Sequence, residues 1–352
     1  MMTETKNITI VHPISDYKQV NTKKGVSQYA RHLSNQGYRV ELIVYQDEQQ
    51  ESVNLEGVEI CSISASGIGK ILAVIPILLF SQSTVFMTQF IGKKDLVWAP
   101  ICWIRGIKYL IVADYTPHKK ETPRGIYYKT KFKLCILSIF NPVFFVRTAG
   151  SRDELSSICA RVESKLRILP SGVDNAYFEI ENKISGSNTL VYIGRLIEDK
   201  NVEVLIEAFN NVKDDYSLWE LHIAGTGPKE YNMDDEERIV FRGFLQEEEL
   251  LDLYAQADVL CLPSLHESFS NVLIEAAATE TAVISTKVGI APELLEDAGL
   301  FIKKNDVEDT EDKLRKYMQD YEKIEKDAKK LREKAEEFRH SKLVSDIEKE
   351  MG

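Results

Sequence analysis

The chain has 352 residues, 44% of them hydrophobic and 28% charged, with a formal net charge of −11. This length accommodates two domains of ordinary size, and the composition is that of a soluble protein with full cores. The cysteines Cys61, Cys102, Cys135, Cys159 and Cys261 are scattered and form no C-x-x-C pair. That pattern argues against a disulfide framework or a structural zinc site, and for a reducing cytosol.

At the N-terminus no basic-then-apolar signal peptide is legible. Strand-like segments then follow at Ile8–His12, Arg39–Tyr45, Val58–Ser64, Asp95–Ala99, Tyr109–Asp114, Val143–Thr148 and Lys165–Leu169. Ile71–Phe80 is the longest apolar run, and its ten residues are too few to span a bilayer. It reads as a buried helix, with a membrane-dipping segment as the alternative. The polar stretch Glu181–Asn188 is the linker candidate. Beyond it, Thr189–Gly194, Glu220–Ala224, Ile239–Phe244, Val259–Leu262, Ala282–Thr286 and Leu300–Ile302 repeat the strand pattern. From Val307 the chain is highly charged and helical in pattern, with a break near His340.

Strands alternating with helices imply parallel sheets wrapped by helices. The expected fold is α/β, two doubly wound Rossmann-like domains facing a cleft, with ligands at the carboxyl ends of the strands. The expected boundaries are an N-terminal domain at 1–175 and a second domain at 176–330, followed by a C-terminal helix at 331–352.

Charge divides unevenly between the halves. Residues 1–170 hold 22 basic and 14 acidic residues, a net +8, and the remainder a net −19. Lys119, Lys120, Arg124, Lys129, Lys131 and Lys133 interleave with Tyr127, Tyr128 and Phe132. Basic residues mixed with aromatics suit an anionic membrane surface, where each cation adds about 1 kcal/mol. A solvated loop or a polyanion site would have the same composition. No nucleic-acid partner is expected.

The stretch Glu267-Ser-Phe-Ser-Asn-Val-Leu-Ile-Glu275 carries the most chemistry. An apolar strand precedes it, and helix-forming residues run from Asn271 to Thr279. Glu267 therefore falls in the strand-to-helix turn, with Ser268 or Ser270 as cap. The helix start offers unpaired N–H groups and a positive dipole end, which suit a diphosphate. With Ser270 as cap, Glu275 lies roughly 7.5 Å along the axis. Carboxylates there are acceptors for sugar and ribose hydroxyls. A solvated helix with acids near its N-terminus has the same local pattern.

The segment resembles the E-x7-E signature of retaining glycosyltransferases of family four. The resemblance extends over nearly the whole chain and is strongest from Ile168 to Phe301. It includes Ile168-Leu-Pro-Ser-Gly-Val-Asp174, Tyr192-Ile-Gly-Arg-Leu-Ile-Glu-Asp-Lys-Asn201, Gly225-Thr-Gly-Pro228, Phe241-Arg-Gly-Phe244 and Gly289 with Pro292-Glu293. It implies the GT-B architecture and transfer of a sugar from a nucleotide diphosphate-sugar to an acceptor hydroxyl with retention.

Residue by residue, the resemblance implies that Arg195 and Lys200 stabilise the departing diphosphate, with Gly194 turning closely beneath it. Glu267 meets the donor sugar and Glu275 the ribose. Backbone amides of Ser268, Phe269, Ser270 and Asn271 meet the diphosphate or sugar, while Phe244 and the Gly225–Gly227 turn border the base. Lys23-Lys-Gly-Val-Ser27 stands where the family has a double-glycine loop, so only Gly25 matches and Lys24 departs. Where the family has a cleft histidine, Val112-Ala-Asp-Tyr-Thr-Pro-His118 offers Asp114 at the strand end and His118 beyond it. Asp114 is favoured by position; His12 and His266 are further candidates.

No D-x-D metal motif is present, so no metal or tightly bound cofactor is expected, and any magnesium arrives with the nucleotide. The implied setting is lipid-linked or cell-surface glycan synthesis at the cytoplasmic face of a membrane. A silent partner of an active transferase and a nucleotide-sugar 2-epimerase are the alternatives.

Overall fold

The computed structural model describes residues 6–11, 26–45, 55–113, 124–180, 186–229 and 238–351. The chain divides into unit 1, Met1–Ser171 with His340–Gly352, and unit 2, Gly172–Arg339. The division thus falls at Ser171/Gly172 rather than 175/176, and residues 331–339 stay with unit 2.

Unit 1 holds a seven-stranded sheet ordered β3-β2-β1-β4-β5-β6-β7. The strands are β1 (Asn7–Val11), β2 (Arg39–Tyr45), β3 (Glu59–Ile63), β4 (Val85–Gln89), β5 (Lys108–Ala113), β6 (Val143–Val146) and β7 (Leu166–Ile168). All of its pairings are parallel. Its helices are α1 (Val26–Asn35), α2 (Gly69–Ala73), α3 (Ile75–Phe80), α4 (Asp95–Arg105), α5 (Arg124–Leu137) and α6 (Ala149–Ile158). The strand interiors are apolar on both faces because each face is covered. One face packs on Tyr29, Ala30 and Leu33 of α1. The other packs on Val74, Leu78, Trp98, Cys102, Leu134 and Leu137, from α3 with the residue before it, α4 and α5.

Unit 2 holds a six-stranded sheet ordered β10-β9-β8-β11-β12-β13, again parallel throughout. Its strands are β8 (Thr189–Ile193), β9 (Glu220–Ala224), β10 (Ile239–Gly243), β11 (Val259–Leu262), β12 (Ala282–Thr286) and β13 (Leu300–Ile302). Its helices are α7 (Asn175–Phe178), α8 (Val202–Val212), α9 (Glu247–Gln256), α10 (Asn271–Ala278), α11 (Ala291–Leu294), α12 (Val307–Met318) and α13 (Tyr321–Ala335). The last helix, α14 (His340–Met351), returns to unit 1 and buries Leu343, Ile347 and Met351 beside α1. Both units are thus Rossmann-like, as the alternation of elements implies.

Three local expectations are corrected. Asp95–Ala99 is the start of α4, not a strand. Trp98, Ala99 and Cys102 are buried at helical spacing, and Pro100 is accommodated inside the helix. The missing strand is β4, which pairs with both β1 and β5. Ile71–Phe80 is not a buried helix: α2 and α3 bury Leu78 while Val74 between them is also buried, but Leu72, Leu79 and Phe80 are exposed. The linker candidate Glu181–Asn188 lies within unit 2, and its residues 181–185 lie outside the described residues. Its end is tied to the sheet through Asp258, whose carboxylate accepts from Gly186 N–H, Ser187 Oγ and Thr189 N–H at 2.9–3.1 Å.

Among the described residues no helix is long and apolar enough to cross a membrane. All five cysteines are free, with the sulfurs of Cys135 and Cys159 3.2 Å apart.

Candidate active site

In unit 2 the strand order runs outward from β8 to β9 and β10 on one side, and to β11, β12 and β13 on the other. The loops after β8 and β11 therefore diverge at the carboxyl edge, where such sheets bind ligands. The first loop carries Gly194, Arg195 and Lys200; the second carries Glu267 and leads into α10.

These two loops are fastened to each other. Leu265 N–H donates to Asp199 O at 2.7 Å, and Asn201 Nδ2 donates to Pro263 O at 3.3 Å. Asn201 adopts φ 52°, the left-handed conformation asparagine tolerates better than most residues, and so starts α8. Within the frame Lys200 Nζ donates to Glu267 Oε1, and Ser264 Oγ donates to the same oxygen at 2.9 Å. The two charged side chains are mostly buried, 15% and 10% exposed, so the ion pair is shielded from solvent. Arg195, by contrast, is exposed at the end of β8, with its carbonyl accepting from Tyr192 Oη at 3.0 Å.

The loop after β9 closes tightly beneath the β8 loop. Gly194 N–H donates to Ala224 O and Leu196 N–H to Thr226 O, each at 2.9 Å. A Cβ on Gly225, at φ 142°, would stand 1.8 Å from Gly194 O, and one on Gly227 would stand 2.0 Å from Leu196 O. Only glycine permits this approach at either position. Gly225 N–H also donates to Gly243 O at 2.7 Å, which brings in the end of β10. The next side chain, Phe244, is 69% exposed.

Between β11 and α10, Ser268 is exposed, Phe269 buried, and Ser270 and Asn271 half-buried. Ser270 takes the cap position of α10 at φ 77°, but its side chain makes no capping hydrogen bond. The expected serine cap is therefore one of position only. Gly289 sits under this turn: Ile290 N–H donates to Phe269 O at 2.8 Å, and a Cβ on Gly289 would meet that oxygen at 2.4 Å. Glu275 lies in the second turn of α10 and is buried, with Tyr254 Oη 3.3 Å from its Oε2 and equally far from Val272 O. Burial, then the charge of Glu275, raises the Tyr254 phenol well above its ordinary value. Tyr177 is raised for the same two reasons. Both phenols therefore stay protonated, and the Tyr254 O–H is available to donate to Glu275.

Arg195, Lys200, Glu267, Ser268–Asn271, Gly194, Gly225, Gly227 and Phe244 thus share the carboxyl edge of four adjacent strands, with Glu275 buried behind it. Gly25, Asp114, His118 and His12, together with Lys23, Lys24, Lys119 and Lys120, lie outside the described residues. His266 stands with Nδ1 3.6 Å from Asp199 Oδ1. Ser264, Asn201 and Tyr254 were not singled out from the sequence. Asn201 has a legible signal, an asparagine before an apolar helix; the Tyr254–Glu275 contact depends on how α9 lies against α10 and has none. Among the described residues no group of three or more His, Cys, Asp or Glu side chains is placed to hold a metal ion.

Residues 173–338 match the family model described as Glycosyl transferases group 1. The match spans nearly the whole of unit 2 and supports a group 1 glycosyltransferase domain there. An uncharacterized glycosyltransferase of Methanocaldococcus jannaschii is 24% identical over 321 residues, spanning 83% of this chain and 74% of that protein. The phosphatidylinositol N-acetylglucosaminyltransferase gpi3 subunit of Schizosaccharomyces pombe is 30% identical over 140 residues, 38% of this chain and 31% of its own length. Among solved structures, Anabaena HepE in complex with UDP superposes with a TM-score of 0.73 at 15% identity, covering 98% of both chains. The two-unit fold is thus that of GT-B glycosyltransferases.

Proposed function

We propose that this chain is a retaining glycosyltransferase of family four, acting through its E-x7-E segment. It moves a sugar from a nucleotide diphosphate-sugar to an acceptor hydroxyl in the synthesis of a lipid-linked or cell-surface glycan at the cytoplasmic side of a membrane. The observation that carries this reading is the joining of Lys200 to Glu267 across the β8 and β11 loops, at the point where the strand order reverses.

Lys200 has three N–H bonds and spends one on Glu267, so the others are available to diphosphate oxygens. The second oxygen of Glu267 accepts from a donor-sugar hydroxyl. Arg195, exposed beside them, forks onto phosphate oxygens as charge develops on the leaving group. The amides of Ser268 to Asn271 and the positive end of α10 add to that field. Glu275 takes the ribose hydroxyls, while Phe244 and the Gly225–Gly227 turn border the base. Retention follows when the departing diphosphate receives the acceptor proton on the face it leaves, so catalysis rests on leaving-group stabilisation and positioning. Asp114, after β5, and Gly25, after β1, are assigned to the donor sugar and its phosphates. Magnesium, where used, comes with the nucleotide.

HepE is recorded with UDP, and the gpi3 subunit is named for a phosphatidylinositol acceptor; both support this donor class and a lipid-borne acceptor. The cationic stretch Lys119–Lys133 supports a membrane-proximal acceptor. Thermal stabilisation by UDP, GDP, ADP and their sugars tests the reading. One nucleotide should raise the melting temperature by mass action, with the rise lost in Glu275→Ala. No rise with any nucleotide would favour a silent partner of another transferase.

A further inference from the structure

The corrected helices leave an unusual surface on unit 1. On the layer formed by α2 to α5, Ile68 and Phe80 are 73% and 83% exposed, Trp103 and Ile104 61% and 76%, and Phe132 and Ile139 65% and 66%. Leu72, Leu79, Val97 and Tyr128 are exposed as well. These side chains follow helical spacing on the outer faces. Val97 and Ile104 are seven residues apart on α4; Tyr128 and Phe132 are four apart on α5, and the 3-10 turn Ser138–Phe140 continues that stripe at Ile139. The helices are joined at one end. Arg105 donates to Ser81 O at 3.0 Å, and the rings of Trp103 and Phe140 meet at 6.2 Å. Phe80, Trp103, Ile104 and Ile139 therefore lie on neighbouring elements of one surface, and contiguous exposed apolar side chains of this kind mark an interaction site.

The charge around this patch selects its partner. Between Ile60 and Arg152 the sequence has thirteen basic and three acidic residues. Asp95, the only one of those acids among the described residues, is fully buried, its carboxylate bonded to Gly92 N–H and Tyr109 Oη. Lys129 and Lys131 are exposed beside the Tyr128–Phe132 stripe, and Arg105 is exposed beside Ile104. A recess of about 550 Å³ opens alongside Trp103 and Phe140 with Lys108, Lys165 and Arg167 in its lining; Arg167 is paired with Glu350 at 2.5 Å. Exposed aliphatic and aromatic side chains set among cations, with Glu350 at the recess paired to Arg167, match an anionic bilayer interface.

We propose that the outer face of α2–α5 is a docking surface for an anionic lipid bilayer. Phe80, Leu79, Trp103, Ile104, Phe132 and Ile139 enter the headgroup region, and the surrounding Lys and Arg side chains bind lipid phosphates. The helices lie in the interface rather than across it, since α2 and α3 together span twelve residues, Gly69–Phe80. This deepens the proposed function by giving it the elements that hold the enzyme at its acceptor, and it extends the electrostatic role of Lys119–Lys133 to an inserted apolar face.

Flotation of the purified full chain with phosphatidylcholine vesicles, with and without phosphatidylglycerol, tests it. The wild type should float with the anionic vesicles. Joint replacement Phe80→Ser, Ile104→Ser and Ile139→Ser should lower the vesicle-bound fraction about tenfold or more. Lys129→Glu, Lys131→Glu and Lys133→Glu should lower it on anionic vesicles while leaving nucleotide-induced stabilisation intact. Wild type that does not float, or a serine variant that floats equally well, overturns the proposal. So does a wild-type dimer that the serine variant converts to monomer without any vesicle binding, which would assign the face to a second copy of this chain. Stabilisation by nucleotides is read in parallel, so loss of the transferase reading is separable: vesicle binding would persist with no nucleotide response.

Discussion

Lys200 and Glu267 share one hydrogen bond and little solvent, so neither side chain keeps its position when the other is removed. Lys200→Ala leaves the Glu267 carboxylate held by Ser264 alone and without a counter-charge. Glu267→Gln keeps the shape and the Ser264 contact but loses the charge. Each change is expected to reduce turnover at least tenfold, about 1.4 kcal/mol in transition-state stabilisation. Because the two act as one unit, the double variant Lys200→Ala with Glu267→Gln should cost clearly less than the sum of the single effects. A double-mutant cycle on turnover decides this, and strict additivity would remove the idea that the ion pair organises the donor site. Lys200 and Glu267 were both legible in the sequence from their spacing to neighbouring strands and turns. That they touch was not, because the contact is set by the backbone bonds Leu265 to Asp199 and Asn201 to Pro263, between segments far apart in the chain.

The loops are built on glycines whose demands differ, and that difference is measurable. Gly225 and Gly243 both have positive φ, but a Cβ on Gly225 would collide with Gly194 O at 1.8 Å, whereas one on Gly243 meets nothing within 4 Å. Gly243→Ala should cost about 1–2 kcal/mol from backbone conformation alone. Gly225→Ala must also push the β9 loop away from the β8 loop. It should cost more in thermal stability and should abolish nucleotide-induced stabilisation, which Gly243→Ala largely retains. Equal effects of the two substitutions in thermal melts would refute the tight apposition of these loops.

The same contrast explains what was readable at the level of elements. In unit 2 the strands are short apolar runs, and their positions were legible. In unit 1 the reading failed where two signals overlapped. Asp95–Ala99 reads as a short strand by composition, yet the buried Trp98 and Cys102 and the Gly92–Asp95 bond mark a helix start. Val85–Gln89, a run of β-favouring residues between polar breaks, was eclipsed by the longer apolar stretch before it. That stretch was read as core because its composition is apolar. Burial is a tertiary property, and its helices leave Leu72, Leu79 and Phe80 exposed.

At the scale of the whole chain, the two units differ in how they are closed. Unit 2 is continuous from Gly172 to Arg339, whereas unit 1 takes its last helix from residues 340–351. On α14, Ile347 is fully buried and Leu343 and Met351 nearly so, in the same core as Tyr29 and Leu33. Lys6 Nζ donates to Met351 O at 2.8 Å, which ties the helix end to the residue before β1. Unit 1 is therefore closed by contacts between the two extremes of the chain, whereas unit 2 is built from one continuous segment. Ile347→Ala removes a fully buried side chain and should destabilise unit 1 by about 2–5 kcal/mol. Hydrogen exchange read by mass spectrometry should show faster exchange across β1, β2 and α1, while peptides of β8, β11 and α10 keep their protection. Nucleotide-induced stabilisation, which depends on unit 2, should persist in the same variant. Faster exchange spread evenly over both units would mean that they unfold as one cooperative body, and the two-unit description of stability would then be wrong.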